Sequence, residues 1–160
     1  GNVFRGVVRQ DGKPVPFVPF RDTSFFSRAD FSKPVPFVEF YRDNLKDEPT
    51  VKAAEIPVEK INGPVFLLSG GDDLVWPAEE LCDRAIKRLK EKLFPHPYTH
   101  LKYPAAGHLT AYPFLPTTAS GIRLEEMGLT LAFGGTPEAN AAAAIDSWPK
   151  ILKFFRDALE

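Results

Sequence analysis

Asp72 and Asp73 stand just beyond the apolar run Val65-Phe66-Leu67-Leu68, separated from it by Ser69-Gly70-Gly71. His108 stands just beyond a second extended stretch, Tyr98 to Tyr103, after Pro104-Ala105-Ala106-Gly107. A carboxylate beside an imidazole holds it in one tautomer and stabilises its cation. The imidazole can then take a proton from a nucleophile and return one to a leaving group. An acid followed later in the chain by a histidine, each just past a strand, suits the last two members of a hydrolase triad. The same residues also suit a plainer arrangement, in which the Asp pair closes a turn and His108 lies on a surface loop.

The elements that must position them are readable. Val65 to Leu68 is apolar without alternation, as in a strand covered on both faces in a parallel sheet. Ser69, Gly70 and Gly71 are expected to end it. From Pro77 to Leu93 the spacing predicts a helix, with Leu81, Ala85, Leu89 and Leu93 on one stripe beside Cys82 and Ile86. Cys82 reads as a small core residue. Lys87, Arg88, Lys90 and Lys92 read as a solvated face that suits the negative end of the helix dipole. Tyr98 to Tyr103 alternates as a second strand. A strand–helix–strand unit of this length implies a right-handed crossover and parallel pairing. Asp73 and His108 then emerge at one edge of the sheet, the edge where ligands collect in open α/β folds. Downstream, Gly134-Gly135-Thr136-Pro137-Glu138 predicts a helix start, with Thr136 as N-cap and Pro137 in the first position. An apolar stripe of Ala141, Ala144, Trp148, Ile151, Leu152, Phe155 and Leu159 follows. Pro149 interrupts it, so a kink or break near Trp148 is expected.

Residues 1–50 differ from the rest. They hold eight of the 14 Phe and six of the 16 Pro, and K-P-V-P-F-V occurs twice, at Lys13–Val18 and Lys33–Val38. Proline removes ladder donors and fixes φ, which predicts extended or edge segments rather than central strands. This stretch reads either as a surface excursion whose Phe side chains pack onto a core, or as a lid over an apolar site. Tyr41 to Leu45 reads as a short helix and Asn62-Gly63 as a turn. The division expected is a Pro/Phe-rich segment over residues 1–50 and an α/β portion over 51–160.

Composition excludes several classes. The chain of 160 residues is long enough for a sizeable core. Its net charge of −1 creates no field that would recruit nucleic acid. One cysteine rules out an internal disulfide framework. No run approaches the roughly 20 apolar residues of a membrane span. His96, His100 and His108 lack ligand spacing, so no metal or cofactor is expected. The lack of a visible signal segment sets a cytoplasmic expectation.

Four collinear motifs carry a family resemblance: I-P-V-E-K-I-N-G-P-V-F-L-L-S-G-G-D-D-L-V-W-P from Ile56, Y-P-A-A-G-H ending at His108, the run Tyr112–Thr118, and G-G-T-P-E-A-N-A-A-A with D-S-W downstream. Together they resemble the C-terminal domain shared by acyl-CoA thioesterases and bile acid-CoA:amino acid N-acyltransferases, which have the α/β-hydrolase fold and are close to dienelactone hydrolases. The resemblance implies that Asp73 is the triad acid, Asp72 a neighbour and His108 the base. It implies attack on an acyl-CoA or other acyl ester, with release of a fatty acid or transfer to an amino acid. It places the nucleophile in G-x-S-x-G or G-x-C-x-G, upstream of everything here, and no such motif occurs in these 160 residues. The chain is therefore expected to be the C-terminal part of an enzyme, inactive alone and covering its open sheet by self-association. A dienelactone-type esterase fragment, or a non-catalytic module holding an acyl chain or a partner, is the alternative.

Overall fold

A computed structural model describes residues 8–21, 23–110 and 113–160. In chain order it contains β1 (Arg9–Gln10), β2 (Lys13–Pro14), α1 (Phe25–Arg28), α2 (Val38–Asn44), α3 (Glu48–Ala54), a 3-10 turn (Val58–Lys60), β3 (Val65–Gly70), α4 (Ala78–Glu91), β4 (Tyr98–Tyr103), β5 (Gly121–Leu124), a second 3-10 turn (Glu125–Met127), β6 (Leu129–Ala132) and α5 (Pro137–Leu159). Helices and a parallel strand pair in alternation make this a mixed α/β fold. Among the described residues, no helix is long and apolar enough to cross a membrane.

The centre is β3–α4–β4. The two strands run parallel from Val65 opposite Tyr98 to Gly70 opposite Tyr103. Ser69 and Gly70 belong to β3 rather than ending it. Beneath one face lies a cluster of Val65, Leu89 and Phe94, with Leu67, Ile86 and Tyr98 packed against it. The other face meets α5, where Phe66 and Phe154 have ring centroids 5.3 Å apart.

α4 starts one residue later than its spacing predicts, because Pro77 caps it, and it ends at Glu91. Leu93 turns into the left-handed region at φ 51°. Its N–H donates to the Lys90 carbonyl, and the Phe94 N–H donates to the Leu89 carbonyl at 3.0 Å. This is a Schellman closure made without glycine. It buries Phe94 against Leu89 and leaves Leu93 87% exposed, so the fourth member of the expected stripe faces water. Arg88 departs from the solvated face too. Its guanidinium binds Glu59 at 2.5 and 2.8 Å and Glu55 at 3.0 Å, tying α4 to the chain before β3.

Arg88 holds the Glu59 carboxyl well below its usual 4.5, at about 2. A carboxylate whose folded value is depressed stabilises fully above its unfolded value and loses that contribution as pH falls toward the folded one. Stability is therefore expected to drop between pH 4.5 and 2 by more in this protein than in Glu59→Gln. Denaturant midpoints across that range check the difference.

The Phe-rich part builds a second core. Val35, Phe37, Phe40 and Leu129 are buried together, with Phe20, Phe25, Phe26 and Leu131 around them. Val35 bridges to Leu131, so the segment lies along the β5–β6 hairpin. That hairpin and helix α3 are absent from the sequence expectation. At the far end, α5 begins at Thr136 and Pro137 as expected, with the Thr136 hydroxyl capping Ala139 N. It then runs through Pro149 without a break. Proline removes one N–H, the donor to the Ile145 carbonyl, and Ile145 lies on the solvent side at 74% exposure. The freed carbonyl can meet water, so the loss is confined to one bond. The buried face of α5 is Asn140, Ala143, Ala144 and Ser147, and Leu152, Phe155 and Leu159 are exposed.

Candidate active site

Asp73 lies three residues past the end of β3 and His108 five past β4, at the carboxyl ends of both strands. The structure brings them together: His108 Nδ1 is 3.0 Å from Asp73 Oδ2. A carboxylate oxygen can only accept here, so Nδ1 carries a proton, and in the neutral imidazole Nε2 carries the lone pair. The other carboxylate oxygen of Asp73 accepts the Val75 N–H at 2.8 Å and the Trp76 N–H at 3.3 Å. Both oxygens are thus fixed, and the Asp73 side chain is only 4% exposed against 22% for His108. Among the described residues, no side chain bonds Nε2.

The imidazole is held between two rings. The Trp76 ring approaches edge-on at 4.8 Å, and the Phe133 ring lies at 5.7 Å, tilted by 32°. Trp76 also closes one side of a cavity of about 260 Å³ that Gly70, Gly71, Asp73, Arg42 and Glu80 help to line. Arg42 bridges Glu39 and Glu80, each at 2.6 Å, and so joins α2 to α4 at its rim.

A third segment locks the two loops. The Phe133 carbonyl accepts the His108 N–H at 2.9 Å and the Leu74 N–H at 3.4 Å. Asp72 N–H donates to the Ala106 carbonyl at 3.0 Å, and the Asp72 carboxylate accepts the Gly135 N–H at 2.9 Å. Asp72 is therefore a brace between the loops. Gly134 and Gly135 sit at φ 75° and 70°, where a side chain would be strained. Phe133, Gly134 and Gly135 are the site residues that sequence reasoning missed. The paired glycines before a helix cap are the available signal.

Ser69 belongs to a separate Ser–His–Asp series. Its Oγ is 2.7 Å from His100 Nε2, and His100 Nδ1 is 3.1 Å from Asp83. Ser69 is 2% exposed, so no substrate reaches it, and the series serves as a strut between β3, β4 and α4. Lys102 completes that strut and holds the Asp83 carboxyl below its usual value. Cys82 is half-buried and its thiol is pushed up, chiefly by burial, which makes it a poor nucleophile. Among the described residues, no group of three or more His, Cys, Asp or Glu side chains is placed to hold a metal ion. Tyr112, at the start of the aromatic run, lies outside the described residues. Phe114 of that run packs on Trp148 of α5, with centroids 6.3 Å apart.

The family described as BAAT / Acyl-CoA thioester hydrolase C terminal matches residues 7–160. The chain belongs to that family. Its relatives include the mouse (Mus musculus) acyl-coenzyme A thioesterase 1, 35% identical over 129 residues, which are 76% of this chain and 30% of the relative. The mouse mitochondrial acyl-coenzyme A thioesterase 2 is 36% identical over 108 residues, 68% of this chain and 23% of the relative. The mouse peroxisomal succinyl-coenzyme A thioesterase is 33% identical over 100 residues, 62% of this chain and 23% of the relative. The chain thus spans under a third of the length of these thioesterases. Their names place family members in more than one compartment, so membership alone assigns none.

Proposed function

We propose that this chain supplies the acid and the base of an acyl-CoA thioesterase with the α/β-hydrolase fold, and that its nucleophile lies outside these 160 residues. The observation that carries the reading is the Asp73–His108 hydrogen bond at the carboxyl ends of two parallel strands. With Nδ1 protonated toward Asp73, Nε2 can take the proton of a serine or cysteine as that group attacks the thioester carbonyl. The C–S bond then breaks, the CoA thiolate takes the proton from Nε2, and an acyl-enzyme remains. Nε2 next deprotonates water, which releases the fatty acid and regenerates the nucleophile. Asp73 steadies the imidazolium in both halves. The Phe-rich segment from Phe25 to Tyr41 would form an apolar wall reaching the site through Tyr41, whose ring meets Trp76 at 6.5 Å.

The test compares acyl-CoA turnover by this chain with turnover by the polypeptide extended upstream through a G-x-S-x-G or G-x-C-x-G element. The expected result is none from the first, and turnover from the second that His108→Ala abolishes. Turnover by the 160-residue chain that His108→Ala removes would refute the missing nucleophile. Retention of an acyl probe by the longer polypeptide without turnover would favour a binding module instead.

Self-association is part of the same reading. Among the described residues, β3 and β4 each pair on one edge only. Ile145, Leu152, Phe155 and Leu159 leave α5 with an uncovered apolar stripe. Open edges and apolar patches favour assembly. Light scattering at high concentration is expected to give a mass above 17.8 kDa. A monodisperse monomer would count against it.

A further inference from the structure

The G-G-T-P-E-A-N run is explained as a helix start only through Thr136 and Pro137. Asn140 has a different environment. It sits one turn into α5, is 6% exposed, and its Oδ1 accepts the Gly107 N–H at 2.8 Å. Gly107 is the residue immediately before His108. A side chain on Gly135 would overlap both Asn140 Oδ1 and Gly107 N, so the two glycines let the helix start approach the loop this closely. The loop is held at successive points: Gly107 N–H by Asn140, His108 N–H by the Phe133 carbonyl, and the Gly107 carbonyl by the Thr110 hydroxyl. The first of these is the one made by a side chain carried on a long helix.

We propose that Asn140 is a positioning residue for His108, setting from α5 the place at which the imidazole meets Asp73. The inference rests on the reading of Asp73 and His108 as an acid–base pair. A buried amide without its acceptor must find another partner, and the loop can do so only by moving. A shift of about 1 Å at His108 stretches the 3.0 Å bond to Asp73 beyond hydrogen-bond range.

The test reads the bond itself. An imidazole N–H bonded to a carboxylate gives a far-downfield proton signal that exchanges slowly with water. This signal is followed for His108 in the 160-residue chain and in Asn140→Leu, Asn140→Asp, Leu89→Ala and Asp73→Asn. In Asn140→Leu its exchange is expected to speed up by about tenfold or more, the equivalent of one lost hydrogen bond. Asn140→Asp keeps an acceptor oxygen and is expected to keep the signal. Leu89→Ala weakens the fold at a distance and is expected to keep it too. An unchanged signal in Asn140→Leu, or its loss in Leu89→Ala, would overturn the proposal. Should Asn140→Leu not fold, amide exchange at Gly107 in the unaltered chain decides. Protection matching the first turns of α5 supports the clamp, and exchange at loop rates refutes it. Persistence of the signal in Asp73→Asn would instead remove the acid–base reading.

Discussion

Asp73→Asn is expected to lower kcat by about 10⁴-fold in the polypeptide that carries the nucleophile, with the fold almost intact. The argument turns on tautomers. The Val75 and Trp76 amides both donate to one oxygen of Asp73 and would hold the asparagine carbonyl in that place. The new NH₂ group would then face His108 Nδ1, where the carboxylate now accepts. Nδ1 would have to accept rather than donate, and the proton would move to Nε2. An imidazole protonated at Nε2 cannot take a proton from a nucleophile. Asp73→Ala should lose activity as well, and stability in addition, because it orphans the two amides. Steady-state kinetics beside a denaturation curve separates the two variants. A kcat for Asp73→Asn within tenfold of the parent would show that Asp73 is not the orienting acid.

Gly134→Ala is expected to destabilise the protein by about 3 kcal/mol, from left-handed strain of about 1–2 kcal/mol and a comparable overpacking cost. Gly134 has φ 75°, and a methyl there would overlap the Asp72 carbonyl oxygen and press on the Leu74 side chain. Gly128 is the control. It has φ 66° with open space around it, so Gly128→Ala should show the strain alone, about 1–2 kcal/mol. Urea denaturation of the pair measures the difference between them. Equal costs would mean that the loops can part at Gly134 without penalty, and that the lock is looser than its hydrogen bonds suggest.

What could be read from the residues follows from which interactions are local. Val65 to Leu68 announces itself because a strand with apolar neighbours on both faces needs no alternation, although Phe66, Leu67 and Leu68 are only half-buried. Thr136 and Pro137 announce a helix start because capping is a contact across three residues. Asp73 and His108 could be placed at one edge because the crossover rule is topological. The misses have the opposite character. The lock of Phe133 and Gly135 onto His108, Leu74 and Asp72 spans from 25 to 63 residues, and nothing local marks it. The β5–β6 hairpin has strands of four residues each, too short for a periodicity to stand out. Leu93 extends a stripe in sequence that the Schellman closure cuts short in space. Pro149 carries an intrinsic cost in sequence, while the turns of α5 on either side carry the helix through.

The shared carbonyl of Phe133 also bears on how such a protein comes off the ribosome. Asp73 and His108 are 35 positions apart, yet the carbonyl that receives the Leu74 and His108 amides is synthesised 25 residues after His108. During vectorial synthesis, β3, α4 and β4 can pair as soon as they emerge, since the unit is contiguous. Their loops then wait unlocked until Phe133, Gly134 and Gly135 have left the exit tunnel. A chain interrupted between His108 and Phe133 would carry both groups and lack the means to aim one at the other.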